Sequence, residues 1–340
     1  MKKIRAVVYG AGATGLDIAR ELVRRGVEIV AAIDIEHVGE DLGELAGLNR
    51  RLNVAIRDDA DETLQETRAD VAIVSVASGL EEMHPHIKRC LEAGINVTTT
   101  SEETLYPWNA SPELAADLDR TAEMHGVSFM GAGYQDIFEV NLPVMLTGAS
   151  KELTGVHGVN RYNIDDYGPA VARYFLAGEK KSEAEQKLSK GEGPQSFFRM
   201  TLEAQIAALG LSEKEYSQET RPVVADQSVQ SEAIGRTIEE GELLGLEIDV
   251  RIQTYEGIEF TGTEIAKVYD QEDGDLNAWT IKGVPEMHVE DKPTPVKVGT
   301  ATQIVNRLPD LINHKPGYVS VTELPLPRYR VGPLQLYVNG

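Results

Sequence analysis

Gly10-Ala11-Gly12-Ala13-Thr14-Gly15 follows the apolar run Ile4–Tyr9 directly and opens the amphipathic stretch Leu16–Arg25. Three glycines at this spacing, between a strand and a helix, do three different jobs. Gly10 permits a tight turn, Gly12 lets a pyrophosphate approach the backbone, and Gly15 lets helix and strand pack closely. The helix N-terminus behind them attracts an anion, so Gly10, Ala11, Gly12, Ala13, Thr14 and Gly15 are expected to hold a dinucleotide. The next apolar run, Glu28–Asp34, ends on an acid. A carboxylate at Asp34 accepts hydrogen bonds from ribose hydroxyls and repels a 2′-phosphate. No Arg or Lys occurs in Ile35-Glu36-His37-Val38-Gly39. NAD is therefore the preferred cofactor, with NADP second.

The same alternation runs through the first third of the chain. Val71–Ala77, Asn96–Thr100 and Ser128–Gly131 read as strands buried on both faces, and Pro85–Ala93 and Pro112–His125 as helices. Gly26, Gly94 and Gly126 follow the helices where left-handed C-caps are expected, and Ser111 before Pro112 marks a helix start. This pattern means a doubly wound parallel sheet, an N-terminal Rossmann domain over residues 1–135. Ser75 and Ala77, at the end of their strand, join the expected cofactor contacts. After about Gly133 the pattern changes. Asp136–Leu146, Gly168–Leu176 and Phe197–Leu209 carry helical spacing, and Val156–Ile164 reads as extended. Leu246–Tyr255, Glu259–Tyr269 and Ala278–Lys282 alternate, which predicts a mixed or antiparallel sheet. An α+β domain for substrate and dimerisation is thus expected over 136–300. Lys180–Gly193 is polar and reads as a surface excursion. Residues 301–340 hold the rest of a helix, Thr300–Asn313, and a tail expected to pack back on the first domain.

The 340 residues carry a formal net charge of −22, which disfavours nucleic acid and anionic membranes as partners. Cys90 is the single cysteine, so no disulfide can form within the chain, and it reads as a buried helical thiol. No apolar run reaches the ~20 residues of a membrane span, and a cytoplasmic setting is expected. No metal is expected either. His84 and His86 flank Pro85 at a helix entrance without a third ligand nearby. The acidic loops Asp58-Asp59-Ala60-Asp61 and Asp270–Asp275 lack EF-hand spacing. The absence of Gly-x-Ser-x-Gly removes support for a nucleophile elbow.

In open parallel sheets ligands sit beyond the carboxyl ends of the strands. Asn96–Thr100 is followed there by Ser101-Glu102-Glu103-Thr104-Leu105-Tyr106-Pro107. If the segment is extended, Glu102 and Glu103 face opposite ways, so one of them can serve as a general acid–base. The alternative is a solvated helix start with acids at its positive end.

With Gly10–Gly15, further segments carry a resemblance: Asn96–Pro107, Gly131-Ala132-Gly133, Tyr167-Gly168-Pro169-Ala170-Val171, Gly283-Val284-Pro285 and Asn306–Pro327. Over nearly its whole length the chain resembles the native amine dehydrogenases and the 2,4-diaminopentanoate dehydrogenases, relatives in fold of dihydrodipicolinate reductase. The resemblance implies a reversible, NAD(P)-dependent conversion of an amine to a carbonyl and ammonia. It implies that Glu102 is the catalytic residue, Glu103 being the alternate. It places Tyr134, Glu139, Tyr162 and Tyr167 along a substrate pocket, closed from the other side by Thr300 and Thr302. Glu139 departs from the aromatic or aliphatic residues of the family; a carboxylate there either receives a second amino group on the substrate or points away and pairs with Arg161 or Arg173. A homodimer through the second domain's sheet is also implied. The partners expected are thus a small amine or carbonyl and ammonium. The competing readings are an ammonia-independent imine or carbonyl reductase of the same fold, and a non-enzymatic NAD sensor.

Overall fold

The computed structural model describes residues 2–270, 273–292 and 296–339. Its internal contacts divide the chain into two units, Met1–Asn141 with Pro295–Gly340, and Leu142–Thr294. The first unit opens with β1 (Arg5–Tyr9), α1 (Ala13–Arg24), β2 (Glu28–Ile33), α2 (Leu42–Leu45), β3 (Ile56–Arg57), α3 (Ala60–Glu66) and β4 (Val71–Val74). It continues through α4 (Leu80–Glu92), β5 (Asn96–Thr99), α5 (Pro112–His125) and β6 (Ser128–Gly131). Val7, Val8, Ile73, Val97 and Phe129 are fully buried on these strands. Strands apolar on both faces need cover on both sides, which is why helices alternate with them. The glycines expected to end helices do so, with φ of +76° at Gly26, +72° at Gly94 and +69° at Gly126. Helix α4 starts at Leu80, five residues earlier than its spacing suggests, so His84, Pro85 and His86 lie inside the helix rather than at its entrance.

The second unit contains α6 (Leu142–Thr147), β7 (Glu152–Asn163), α7 (Pro169–Tyr174), α8 (Lys181–Ser189) and α9 (Phe198–Ala208). Seven more strands follow: β8 (Glu213–Val224), β9 (Val229–Ser231), β10 (Arg236–Ile238), β11 (Leu243–Thr254), β12 (Glu259–Lys267), β13 (Leu276–Val284) and β14 (Met287–Asp291). Its main sheet has the order β14-β13-β7-β12-β11-β8. The β7–β12 pair is parallel and the others antiparallel, so the sheet is mixed. Phe198 of α9 sits on this sheet because Gly158 and Gly262 leave room for it. A Cβ at Gly262 would stand 2.5 Å from the ring, and one at Gly158 would stand 2.6 Å from Trp279. Two segments depart from expectation. Lys180–Gly193 contains a nine-residue helix with a Lys181–Glu185 pair one turn apart, not merely an excursion. Strand β8 has no apolar alternation to announce it and is held by pairing along β11.

The chain then returns to the first unit as α10 (Val296–Ile312) and β15 (Gly317–Tyr318). The completed sheet runs β15-β6-β5-β4-β1-β2-β3, with every pair parallel. Among the described residues no helix is long and apolar enough to cross a membrane.

Candidate active site

The glycine loop is shaped by three close approaches. Gly10 has φ +106°, and a Cβ on it would stand 2.6 Å from the Ser75 carbonyl oxygen. A Cβ on Gly15 would stand 1.9 Å from the carbonyl oxygen of Gly10, so no side chain fits there. Nothing lies within 4 Å of a Cβ on Gly12, which leaves open space in front of α1. That helix begins at Gly12 with no capping side chain and no acid in its first turn. Its unsatisfied N–H groups suit a diphosphate. Ser75 reaches the loop through a hydroxyl contact to the Gly10 carbonyl oxygen at 3.3 Å. Ala77 is half-buried in the segment after β4.

Asp34 does more than the sequence suggests. Its Oδ2 accepts the Ala11 N–H at 2.5 Å and its Oδ1 the Glu36 N–H at 2.9 Å, so it also holds the glycine loop in place. Strand β3 supplies a nearby cation that sequence reasoning missed, since the Arg57 carbonyl accepts the Asp34 N–H at 3.0 Å. The Arg57 guanidinium is engaged by Glu62 and Glu66.

Glu102 and Glu103 begin a single 3-10 turn, Glu102–Leu105, and not an extended segment. Successive side chains of such a turn point about 120° apart, so the pair still diverges, for a different reason. Gly131 admits the turn against β6, because a Cβ there would lie 2.5 Å from Thr104 Oγ1 and 2.7 Å from the Leu105 nitrogen. Glu103 accepts the Leu80 N–H at 2.6 Å. Helix α4 is capped by Gly79, which offers no side-chain oxygen, so Glu103 supplies the missing acceptor from a neighbouring loop. Ser101 adds a second tie, its hydroxyl donating to the Ser78 carbonyl. The turn carrying Glu102 is thereby joined to the loop following Ser75. Glu102 itself is half-buried.

Tyr134 is 1% exposed and stacks on Phe138, with centroids 4.5 Å apart. Its N–H donates to Thr300 Oγ1 at 3.3 Å, and Gly299 makes room for its ring. The structure does not bring Thr302 to the same place. Positions two apart on a helix are about 200° apart around its axis, and Thr302 is exposed. Glu139 is buried in a π-helical turn, Asp136–Asn141, that precedes α6. This turn is anchored by Asp136, which accepts two bonds from Arg307 of α10, Nε to Oδ2 at 2.6 Å and Nη2 to Oδ1 at 2.8 Å. Both side chains are fully buried. Arg307 also donates to the carbonyls of Pro325 and Val321, and Asn141 donates to Asp136. The sequence pattern contains no signal for this clamp, because its partners are 171 residues apart.

In the second unit Tyr162 and Tyr167 meet edge to face at 5.6 Å. Tyr167 closes a 3-10 turn, and Gly168, with φ +85°, redirects the chain into α7. Tyr162 donates its phenol proton to Glu264 at 2.6 Å. The remaining candidates resolve structurally. His84 bonds Asp117 at 2.9 Å and His86 bonds the Tyr9 hydroxyl at 2.7 Å. Cys90 is buried on α4, and burial pushes its thiol up to about 12, so it stays an inert thiol. Among the described residues no three His, Cys, Asp or Glu side chains cluster as metal ligands. The acidic loop Asp270–Asp275 includes positions 271 and 272, which lie outside the described residues.

Residues 139–339 match the family described as the 2,4-diaminopentanoate dehydrogenase C-terminal domain. A solved amine dehydrogenase from Mycobacterium smegmatis is 41% identical and superimposes with a TM-score of 0.91, covering 97% of this chain and 98% of that one. The chain belongs to the 2,4-diaminopentanoate dehydrogenase and amine dehydrogenase family. A 2,4-diaminopentanoate dehydrogenase from Acetoanaerobium sticklandii is 26% identical over 98% of this chain and 96% of its own. GenD2 from gentamicin A biosynthesis, solved in complex with NAD, shares the fold at 16% identity and a TM-score of 0.54, over 85% of this chain and 73% of that one. As a member of this family the chain is an NAD(P)-dependent oxidoreductase acting on amine and carbonyl groups. The open space at Gly12, the uncapped start of α1 and Asp34 fit the dinucleotide such enzymes use.

Proposed function

We propose that the chain catalyses the reversible oxidative deamination of a primary amine, with Glu102 as the proton carrier. In balance, one protonated primary amine, one NAD+ and one water give one carbonyl compound, one ammonium ion, one NADH and one proton. The observation that supports the assignment is the half-buried place of Glu102 on the turn that follows β5, beside Glu103, whose carboxylate accepts the Leu80 N–H. A bound nicotinamide supplies the hydride acceptor, and the reverse reaction draws on its reduced form. Glu102 takes a proton from the ammonium, exposing the nitrogen lone pair that drives hydride loss from the adjoining carbon. It then moves protons as water adds to the iminium and ammonia leaves the carbinolamine. Tyr134, Tyr162, Tyr167 and Thr300 are the residues we assign to substrate contact. Oxidation of an amine with NAD, followed by trapping of the released carbonyl as a hydrazone, tests the reading. Cofactor reduction without a trapped carbonyl would contradict it. The proposed form is a cytoplasmic homodimer, which a monomeric mass in light scattering would rule out.

We assign NAD as the preferred cofactor. The Asp34 carboxylate supports this, as does the engagement of Arg57 by two glutamates in place of a phosphate. Wild-type kcat/KM is expected to be higher with NAD than with NADP. Asp34→Asn is a better probe than Asp34→Ala, since it keeps a carbonyl acceptor for the glycine loop while removing the charge. It should narrow the preference by roughly 10-fold. Equal or better use of NADP by the wild type would sink the assignment.

Glu139 is proposed to receive a second amino group. Glu139→Leu should weaken diamines more than alkyl monoamines, by about 10- to 100-fold in relative kcat/KM, the loss of a charged hydrogen bond. Equal relative losses for both classes would show that Glu139 takes no part in recognition.

A further inference from the structure

Strand β12 carries one carboxylate into the interior of the second unit. Glu264 is 2% exposed, on a sheet face whose other residues on that strand are Phe260, Gly262 and Ala266. It accepts the Tyr162 phenol at 2.6 Å on Oε1 and the Ser196 hydroxyl at 2.5 Å on Oε2. The backbone N–H of Phe197 also favours the charged form of Glu264. Ser196, fully buried, is fixed in turn by accepting the Phe198 N–H at 3.1 Å. Among the described residues no Lys, Arg or His nitrogen lies within 4 Å of this carboxylate. Of the other deeply buried carboxylates, Asp136 has Arg307 and Glu203 has Arg199, while Asp41 is held by the N–H groups of Gly43, Glu44, Leu52 and Val54.

Glu264 is thus held by two hydroxyl donors on side chains that carry no charge. Burial pushes the Glu264 carboxyl up, and the Ser196, Tyr162 and Phe197 donors pull against that. A positive charge placed near such a group offsets part of the cost of burying it. What lies next to it is aromatic. The Tyr162 ring meets Tyr167 at 5.6 Å and Phe175 at 6.2 Å, both edge to face. Tyr167 is 39% exposed and Tyr162 half-buried, so the pair reaches from the carboxylate towards the surface of its unit. Ring faces attract cations, and an anion behind the ring strengthens that attraction.

We infer that Glu264 is a positioning residue for a cationic amine: with Tyr162 and Tyr167 it forms an anion-backed aromatic corner that favours the ammonium form of the substrate over the neutral carbonyl. The charge acts through Tyr162, whose phenol proton is committed inward and whose ring is thereby fixed. This inference deepens the amine dehydrogenase reading and rests on it. It also supplies a recognition residue that neither the glycine loop nor the Glu102 turn provides. Tyr162 accordingly acts as a ring and not as a proton donor to the carbonyl.

Calorimetry with butylammonium on the enzyme–NAD complex and with butyraldehyde on the enzyme–NADH complex tests the corner apart from turnover. Glu264→Gln keeps the size of the side chain and removes its charge. It should raise the Kd for butylammonium about 10-fold, with the Kd for butyraldehyde and for NADH within about twofold of wild type. Ser196→Ala removes one hydrogen bond and keeps the charge, so it should leave the ratio of the two ligand constants within about twofold. That variant carries the test if Glu264→Gln does not fold. Parallel losses for both ligands in Glu264→Gln, a ratio collapsed by Ser196→Ala, or no binding of butylammonium to wild type would each overturn the inference. Binding as described without oxidation of any amine would leave the corner standing and remove the proposed reaction instead.

Discussion

Glu102→Gln is expected to lower kcat for amination by roughly 10²–10⁴-fold, the range that a positioned acid–base group contributes. The substitution keeps the shape of the side chain and removes its titratable proton. NADH affinity should hold within about twofold, because the glycine loop is built from Gly10, Gly15, Ser75 and Asp34 and not from this turn. Glu103→Gln should be much milder, since an amide oxygen can still accept the Leu80 N–H. Glu103→Ala removes that acceptor and should weaken NADH binding by loosening the loop after Ser75. Steady-state rates and a common NADH titration on the three variants separate these roles. Near-normal Glu102→Gln with inactive Glu103→Gln would move the base one residue along, and two near-normal variants would leave the mechanism without its base.

The parallel sheet was legible because its inner strands are short apolar or β-branched runs, most of them set off by glycine. The glycine loop was legible because every one of its three spacings answers a steric demand that the structure confirms at Gly10 and Gly15. The edge strands β3 and β15, two residues each, were not, since so short a pairing leaves no periodicity. Strand β8 was hidden for another reason. Its sequence, EKEYSQETRPVV, is polar along an edge, and only the pairing with β11 makes it a strand. At the site, Glu102 and Glu103 could be found together from their place after β5, but not told apart by spacing. What the structure adds is a bond from the Leu80 N–H, 23 residues away, to Glu103, at a helix start where Gly79 offers no side-chain acceptor. Thr300 and Thr302 looked equivalent in the chain, yet helix geometry sends only Thr300 to Tyr134.

The second large effect concerns the clamp beneath the π-helical turn. Arg307→Met leaves Asp136 as an unpaired charge in a fully buried position, and the expected loss of stability is about 3–5 kcal/mol. The double variant Asp136→Leu, Arg307→Met removes both charges and should regain more than half of that loss, though the Pro325 and Val321 carbonyls then lose their donor. Denaturant midpoints with unchanged slopes give the comparison. A single variant as stable as wild type would show that the ion pair does not hold Asp136–Asn141, α10 and the following tail together. The clamp matters for function because Glu139 sits on the segment it fixes.

The most direct test of the whole account is NADH consumption with a panel of aldehydes and ketones, each run with and without ammonium. Oxidation of NADH that depends on ammonium is expected, with the corresponding primary amine recovered as product. Equal rates without ammonium, yielding an alcohol, or no consumption with any carbonyl at saturating ammonium, would contradict it.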